Sequence, residues 1–267
     1  MMVPVPDMPS IEQFVHIPLL SHPAPSDIMI ISGGAGGVIN EMLKHPWIAS
    51  IRYVEIDPKI LSLLRRYPTP LTESELNDKR VTIDHADGRL LLNTTSATYD
   101  LIFVGITNPS NLEANRFFTK EFFTLAKNRL NDGGILVFEA PGSLTLLNEE
   151  LQNLNSSIFH TLGTVFSHTR VIPGEEKNLF LSSDFPEIME IDTDRIVSRL
   201  IRRDISTQVL VPRYIDNTLH RGWQSWFTEF IKGGSRKINY DFKPLGMYYS
   251  IAYWNALFAP VFAKWHS

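Results

Sequence analysis

Asp27-Ile28-Met29-Ile30-Ile31-Ser32-Gly33-Gly34-Ala35-Gly36-Gly37-Val38 runs through a helix-like stretch into Ile51-Arg52-Tyr53-Val54-Glu55-Ile56-Asp57. The order is strand, glycine loop, helix and second strand, with an acid at the second strand's end. In a doubly wound α/β sheet such glycines let a nucleotide lie against bare backbone, and an acid about 20 residues further on can grip a ribose diol. Glycines alone could equally form a tight turn where helix and strand pack closely. The apolar run before them and the acid after them favour the nucleotide, with Gly33, Gly34, Gly36, Glu55 and Ile56 as its candidate contacts. No Gly-Lys-Ser/Thr ending follows the loop, which argues against a Walker phosphate loop and ATP hydrolysis.

Outward from this unit the pattern repeats. Strands are predicted at Asp27 to Ile31, Ile51 to Glu55, Val81 to Asp84, Asp100 to Val104 and Gly134 to Glu139, separated by segments of helical spacing. That alternation predicts a parallel, doubly wound sheet. After a helix-like run from Thr145 to Leu162, two strand-like runs, Thr164 to Val171 and Asn178 to Ser182, flank Ile172-Pro173-Gly174-Glu175-Glu176-Lys177. They read as an antiparallel hairpin closing the sheet, the layout of Rossmann-like class I S-adenosylmethionine-dependent transferases. Pro186 opens a different regime, a charged helix near Asp192 to Arg203 and the aromatic stretch Gly222 to Phe227. The expected division is a nucleotide-binding catalytic domain over 1–185 and a helical, aromatic extension over 186–267.

Composition narrows the function classes. The chain of 267 residues has a net charge of -4 and no cysteine. Lys and Arg are scattered singly or in pairs, so the basic footprint of a nucleic-acid binder is missing. Thiolate metal sites, cysteine nucleophiles and disulfides are excluded. No His-His-carboxylate spacing suggests a metal. The start, Met1 to Asp7, has neither the basic region nor the apolar stretch of a secretory signal, so a cytoplasmic location is expected.

His16 to Pro25, the glycine loop, Lys44-His45-Pro46, Glu55-Ile56-Asp57 and Asp87-Gly88 follow one another in the order and spacing of the spermidine synthase family, which the chain resembles over about Glu12 to Ser183. Asn108 to Phe123 resembles most the family's membrane-associated branch, in which such a domain adjoins transmembrane helices. The resemblance implies that Glu55 holds the ribose hydroxyls and that Asp87, with Gly88, receives the adenine amino group. It implies that Gly33 to Gly37 admit the methionine-derived tail of S-adenosylmethionine or its decarboxylated form, with methylthioadenosine as the product-like ligand and a small-molecule amine as acceptor.

The departures fall on the amine side. Family members hold an aspartate in the glycine loop where this chain has Ala35. Their Asp-Ser-Ser-Asp-Pro after the fourth strand is Gly105-Ile106-Thr107-Asn108-Pro109 here, and their Tyr-His/Gln-Glu triplet is Ser10-Ile11-Glu12. A buried diammonium would then lack countercharges, a loss of about 3–5 kcal/mol per broken pair. The family's strand-rich N-terminal segment is also not found. Asn108 and Thr107 remain as catalytic candidates, Asn108-Pro109 sharing two residues with the Asn-Pro-Pro-aromatic turn of amine methyltransferases; with only two residues matching, a plain turn is the favoured reading. Asn115 and Arg116 either line the substrate mouth or cap the following helix. His16, His22 and His45 are expected in turns, structural or facing solvent, and Asp57 as a helix cap.

Leu245 to Ala263 holds no charge and approaches the ~20 residues that span a bilayer. It reads as a membrane contact, which would place the chain at a membrane's inner face, or as a hydrophobic lid or oligomer contact. Three functions stand at this point: aminopropyl transfer to an amine at an altered acceptor site, S-adenosylmethionine-dependent methyl transfer, and non-catalytic nucleotide binding.

Overall fold

The computed structural model describes residues 7–258. In chain order it runs α1 (Met8–Ser21), β1 (Asp27–Ile31), α2 (Val38–Leu43), β2 (Ser50–Glu55), α3 (Pro58–Arg66), α4 (Pro70–Asn77), β3 (Val81–His85), α5 (Gly88–Thr94), β4 (Tyr99–Val104), α6 (Leu112–Asn115) and α7 (Lys120–Lys127). It continues with β5 (Leu130–Pro141), α8 (Glu149–Gly163), β6 (His168–Ile172), β7 (Lys177–Ser183), α9 (Glu187–Glu190), α10 (Thr193–Arg202), α11 (Pro212–Thr218), α12 (Arg221–Lys232) and α13 (Leu245–Phe258). The sheet order is β3-β2-β1-β4-β5-β7-β6. The first five strands are parallel, and β7 runs antiparallel to both β5 and β6. The expected class I architecture, with its closing hairpin, is what the chain forms.

Both faces of the sheet are covered, which is why its central strands are almost continuously apolar. Along β1, Ile28 and Ile30 enter the core beneath α1 and α2, while Met29 and Ile31 enter the opposite core with Phe118, Phe122 and Phe138. Side chains alternate across a strand, so one pentapeptide serves two cores. Helix starts follow local caps: Asp57 accepts from the Lys59 amide at 2.8 Å, Asp87 from Arg89 at 2.8 Å and Asn148 from Leu151 at 2.9 Å.

Three expectations change. The sixth strand begins at His168, not Thr164, because Thr164 to Phe166 finish the last turn of α8 through amides bonded to Thr161 and Leu162. His16 lies within α1 and is fully buried, and His45 is 1 % exposed, so neither faces solvent. The extension after Pro186 is no separate unit: Ile188, Ile196 and Ile215 join one core, and Phe227, Ile231 and Tyr249 join the other.

Helix α13 belongs to that packing. Gly246, Tyr249, Ser250 and Tyr253 are buried, while Tyr248, Ile251, Trp254 and Phe258 point outward. Among the described residues no helix is long and apolar enough to cross a membrane. Residues 259–263 of the expected membrane-contacting segment lie outside the described residues.

Candidate active site

The carboxyl ends of β1, β2 and β3 meet the loop and short helix after β4, and a cleft of about 280 Å³ opens between them. Ligands of open α/β sheets bind outside the carboxyl ends of the strands. Ser32, Val54, Ile56, Ala86 and Gly88 form its floor; Ile106, Asn111, Glu113, Arg116 and Phe117 form its other wall.

Glu55 ends β2 beside this cleft, 1 % exposed. Its Oε2 accepts from Ser32 Oγ at 3.0 Å and Tyr53 Oη at 3.1 Å, and its Oε1 accepts from the Asp57 amide at 3.2 Å. Burial and then the Glu55 carboxylate push the Tyr53 phenol upward, so Tyr53 stays a donor. Three donors thus fix the orientation of the carboxylate beside the cleft. Ser32 has φ 60° and accepts strain at the turn for this contact.

Asp87 caps α5 and also receives Arg116 Nη2 at 2.6 and 2.7 Å. Burial raises its carboxyl, but Arg116 and the Leu90 and Arg89 amides outweigh it, leaving Asp87 below the usual carboxylate range. An adenine amino group reaching Asp87 therefore has to share it with Arg116. Gly88 permits close packing of helix on strand, since a Cβ there would stand 2.5 Å from Ile31 Cγ2.

The glycine loop is closed from behind by a residue the sequence reading missed. Glu75 of α4, fully buried, accepts from the amides of Gly36 at 2.8 Å, Gly37 at 2.6 Å and Asn40 at 3.2 Å. It occupies the anion-attracting N-terminus of α2. Burial raises its carboxyl despite the amide bonds. No local signal marks Glu75, because its partners are backbone amides far away in sequence. Gly33 and Gly36 need their glycines for φ +67° and +98°, and Gly34 because a Cβ would meet the Tyr53 ring at 2.9 Å.

On the amine side the structure shows why no side chain fits at position 105. Gly105 stands so close to the loop that a Cβ would lie 2.3 Å from the Ser32 carbonyl oxygen. Its amide also donates to Ile31 O at 2.9 Å. Asn108 Oδ1 accepts from Ser250 Oγ of α13 at 2.6 Å, which ties the catalytic candidate to the C-terminal helix. Thr107 is half-buried between them. Asn115 is 2 % exposed and turned away from the cleft, accepting from Asn239 Nδ2 and the Met247 amide at 3.0 Å each. Of the Asn115-Arg116 pair only Arg116 lines the mouth, and neither caps the following helix, α7, whose cap is Thr119, accepting from the Phe122 amide. Glu12 does not reach this site either; it accepts from the amides of Gln208, Val209 and Leu210. Among the described residues no group of three or more His, Asp or Glu side chains could hold a metal.

Comparison with known proteins follows the same geography. The family model for the spermine/spermidine synthase domain matches residues 9–184. The polyamine aminopropyltransferase of Methanocaldococcus jannaschii is 28 % identical over 229 residues, 85 % of this chain and 75 % of that protein. The polyamine aminopropyltransferase of Erwinia tasmaniensis is 29 % identical over 214 residues, 79 % of this chain and 73 % of that protein. Among solved structures, a spermidine synthase in complex with the transition state analogue AdoDATO superposes with TM-score 0.70 at 20 % identity, covering 86 % of this chain and 78 % of that one. Human methyltransferase-like protein 13 in complex with SAH superposes with TM-score 0.53 at 19 % identity, covering 80 % and 90 %. The structural likenesses establish the shared fold. The matches do not single out a membrane-associated branch.

Proposed function

The chain belongs to the spermine/spermidine synthase family, and from that premise we propose that it transfers an aminopropyl group from decarboxylated S-adenosylmethionine to a small amine. The amine nitrogen attacks the methylene beside the sulfonium; the new C–N bond replaces the C–S bond, methylthioadenosine departs and the amine loses a proton. Such a displacement depends mainly on holding nucleophile, carbon and sulfur in line. The observation that carries the reading is Glu55, oriented by Ser32 and Tyr53 beside a cleft that Gly88 and Arg116 also line. Glu55 would take the ribose hydroxyls and Asp87 the adenine amino group.

The acceptor is the finer part of the proposal. Ala35, Gly105 and Asn108 are neutral, so a diamine's distal ammonium finds no carboxylate at those positions. We favour an amine that does not require two buried countercharges. The zero cysteine count accords with a cytoplasmic reaction, and any membrane contact would be made by the exposed row Tyr248, Ile251 and Trp254 of α13.

Calorimetry with S-adenosylmethionine, its decarboxylated form and methylthioadenosine, followed by an amine panel, tests both parts. The decarboxylated donor and methylthioadenosine should bind, and Glu55→Ala should weaken both roughly 10- to 100-fold, the worth of a lost charge-assisted hydrogen bond. Equal affinity in wild type and variant would overturn the Glu55 assignment. Putrescine should react at least ~100-fold more slowly than the best amine, as a missing buried countercharge implies; efficient spermidine formation would overturn the acceptor reading alone.

A further inference from the structure

We infer that a second cavity, between edge strand β6 and helices α9, α10 and α12, binds a small phosphate monoester. It measures about 630 Å³ and lies at the sheet edge opposite β3, away from the nucleoside cleft. Its chemistry is set by Arg170, Arg195, Arg221 and Gln224, with Ser225 beside them.

The charges are unbalanced. Ion pairs among the described residues engage Arg52, Arg80, Arg89 and Arg116, and none engages Arg170, Arg195 or Arg221. Of the two carboxylates at the cavity, Glu229 is taken by Lys232 at 2.9 Å and Glu190 is exposed. Arg170 is 6 % exposed. Its Nη1 donates to the Ile188 and Ile191 carbonyls and its Nε to Gln224 Oε1 at 2.8 Å, but its Nη2 makes no hydrogen bond among the described residues. A guanidinium buried without an anion is costly, and an anion in the adjoining cavity would relieve it. Burial and then Arg221 push this guanidinium down to about 10, with Asp192 acting against them.

Gln224 supplies an independent indication. It is 9 % exposed, and its Nε2 is buried with no partner. Arginine can only donate, so the bond from Arg170 Nε fixes Oε1 as the acceptor and leaves the amide nitrogen as the orphan. Buried donors are nearly always satisfied, so an unmade one at a cavity wall calls for an acceptor. Helix α12 begins beside the same cavity with Arg221 and has no side-chain cap, which leaves its positive end there.

Forked guanidiniums, an amide N–H and a hydroxyl together fit a tetrahedral dianion. Val171 and Met189 line the remainder, so the ester group can be apolar.

Phenyl phosphate is the probe, titrated calorimetrically at about pH 7.5, where phosphate monoesters carry close to two charges. Saturable one-to-one binding is expected. Arg195→Gln with Arg221→Gln should weaken it at least about tenfold, the loss of a charge-assisted contact. Gln224→Glu, nearly isosteric and able to keep Arg170, should weaken it as strongly by repelling the anion. Ser32→Ala with Glu55→Gln, in the nucleoside cleft, should leave it unchanged, and circular dichroism confirms that each variant is folded. No saturable binding by wild type, or affinity unaltered in the folded arginine variant, overturns the proposal. So does competition by methylthioadenosine, which would move the probe to the nucleoside cleft.

Discussion

Gly105 decides what the site can be. A Cβ at this position would press on the Ser32 carbonyl, which is backbone and cannot rotate aside. Gly105→Ala should therefore destabilise the fold by about 1–3 kcal/mol, as overpacking does, read as a lower urea midpoint at constant slope; an unchanged midpoint would show that the two segments can part. For the same reason Gly105→Asp cannot be accommodated without shifting the glycine loop. At the opposite end of α2, His16 Nδ1 meets His45 Nε2 at 2.8 Å and His16 Nε2 meets Glu41 at 2.9 Å, all buried. Burial, then the charges of His16, Arg203 and Lys44, hold His45 down to about 2. Its native pKa lies below the ordinary 6.5, so the unfolded chain binds this proton more readily. The associated stability is complete above pH ~6.5 and declines as pH falls toward ~2, by about 1.4 kcal/mol per pH unit for one proton. Burial likewise holds His22 low and adds in the same direction. Melting temperature should fall more steeply below pH 6.5 in wild type than in His45→Gln, and parallel profiles would remove His45 from the account.

Among the elements, α13 departs most from its reading in the sequence. An uncharged aromatic run suggests a membrane contact, a lid or an oligomer contact. Instead Tyr249 is 8 % exposed and bonded through its hydroxyl to Ser235 at 2.6 Å, and Ser250 and Met247 secure Asn108 and Asn115. Truncation after Pro244 should lower stability by about 3–5 kcal/mol, the scale of losing a buried aromatic side chain. It should also open the loop from Gly105 to Arg116 to protease. A truncated chain that melts with the full one, and resists cleavage there, would restore the appended-segment reading.

At the scale of the whole molecule, the chain beyond Pro186 is fastened back to the first helix and to α5. Glu12, fully buried, accepts three amides at 2.6, 2.8 and 2.9 Å, and Arg203 donates to the carbonyls of Leu19, His22 and Pro23. Arg89 grips Asp241 through two bonds of 2.8 Å. Glu12→Ala would strand the Gln208, Val209 and Leu210 amides, and at about 1–3 kcal/mol for an unsatisfied buried group the loss should be several kcal/mol. Differential scanning calorimetry should show one transition at lower temperature; two transitions in the wild type would mean that the extension folds separately after all.

The sheet, its closing hairpin and the glycine loop were legible in the sequence because each rests on a local cause: alternating or continuous apolar strands, caps such as Asp57 and Asp87, and glycines needed for positive φ at 33 and 36. Family motifs singled out Glu55 and Asp87 for the same reason, being short and contiguous. What only the tertiary structure decided are pairings between distant residues. Glu75 with the Gly36 and Gly37 amides, Gly105 against Ser32, Asn108 with Ser250 and Glu12 with residues 208–210 have no periodicity to betray them. A buried polar group must find its partner wherever folding brings one, and sequence separation does not record where that is.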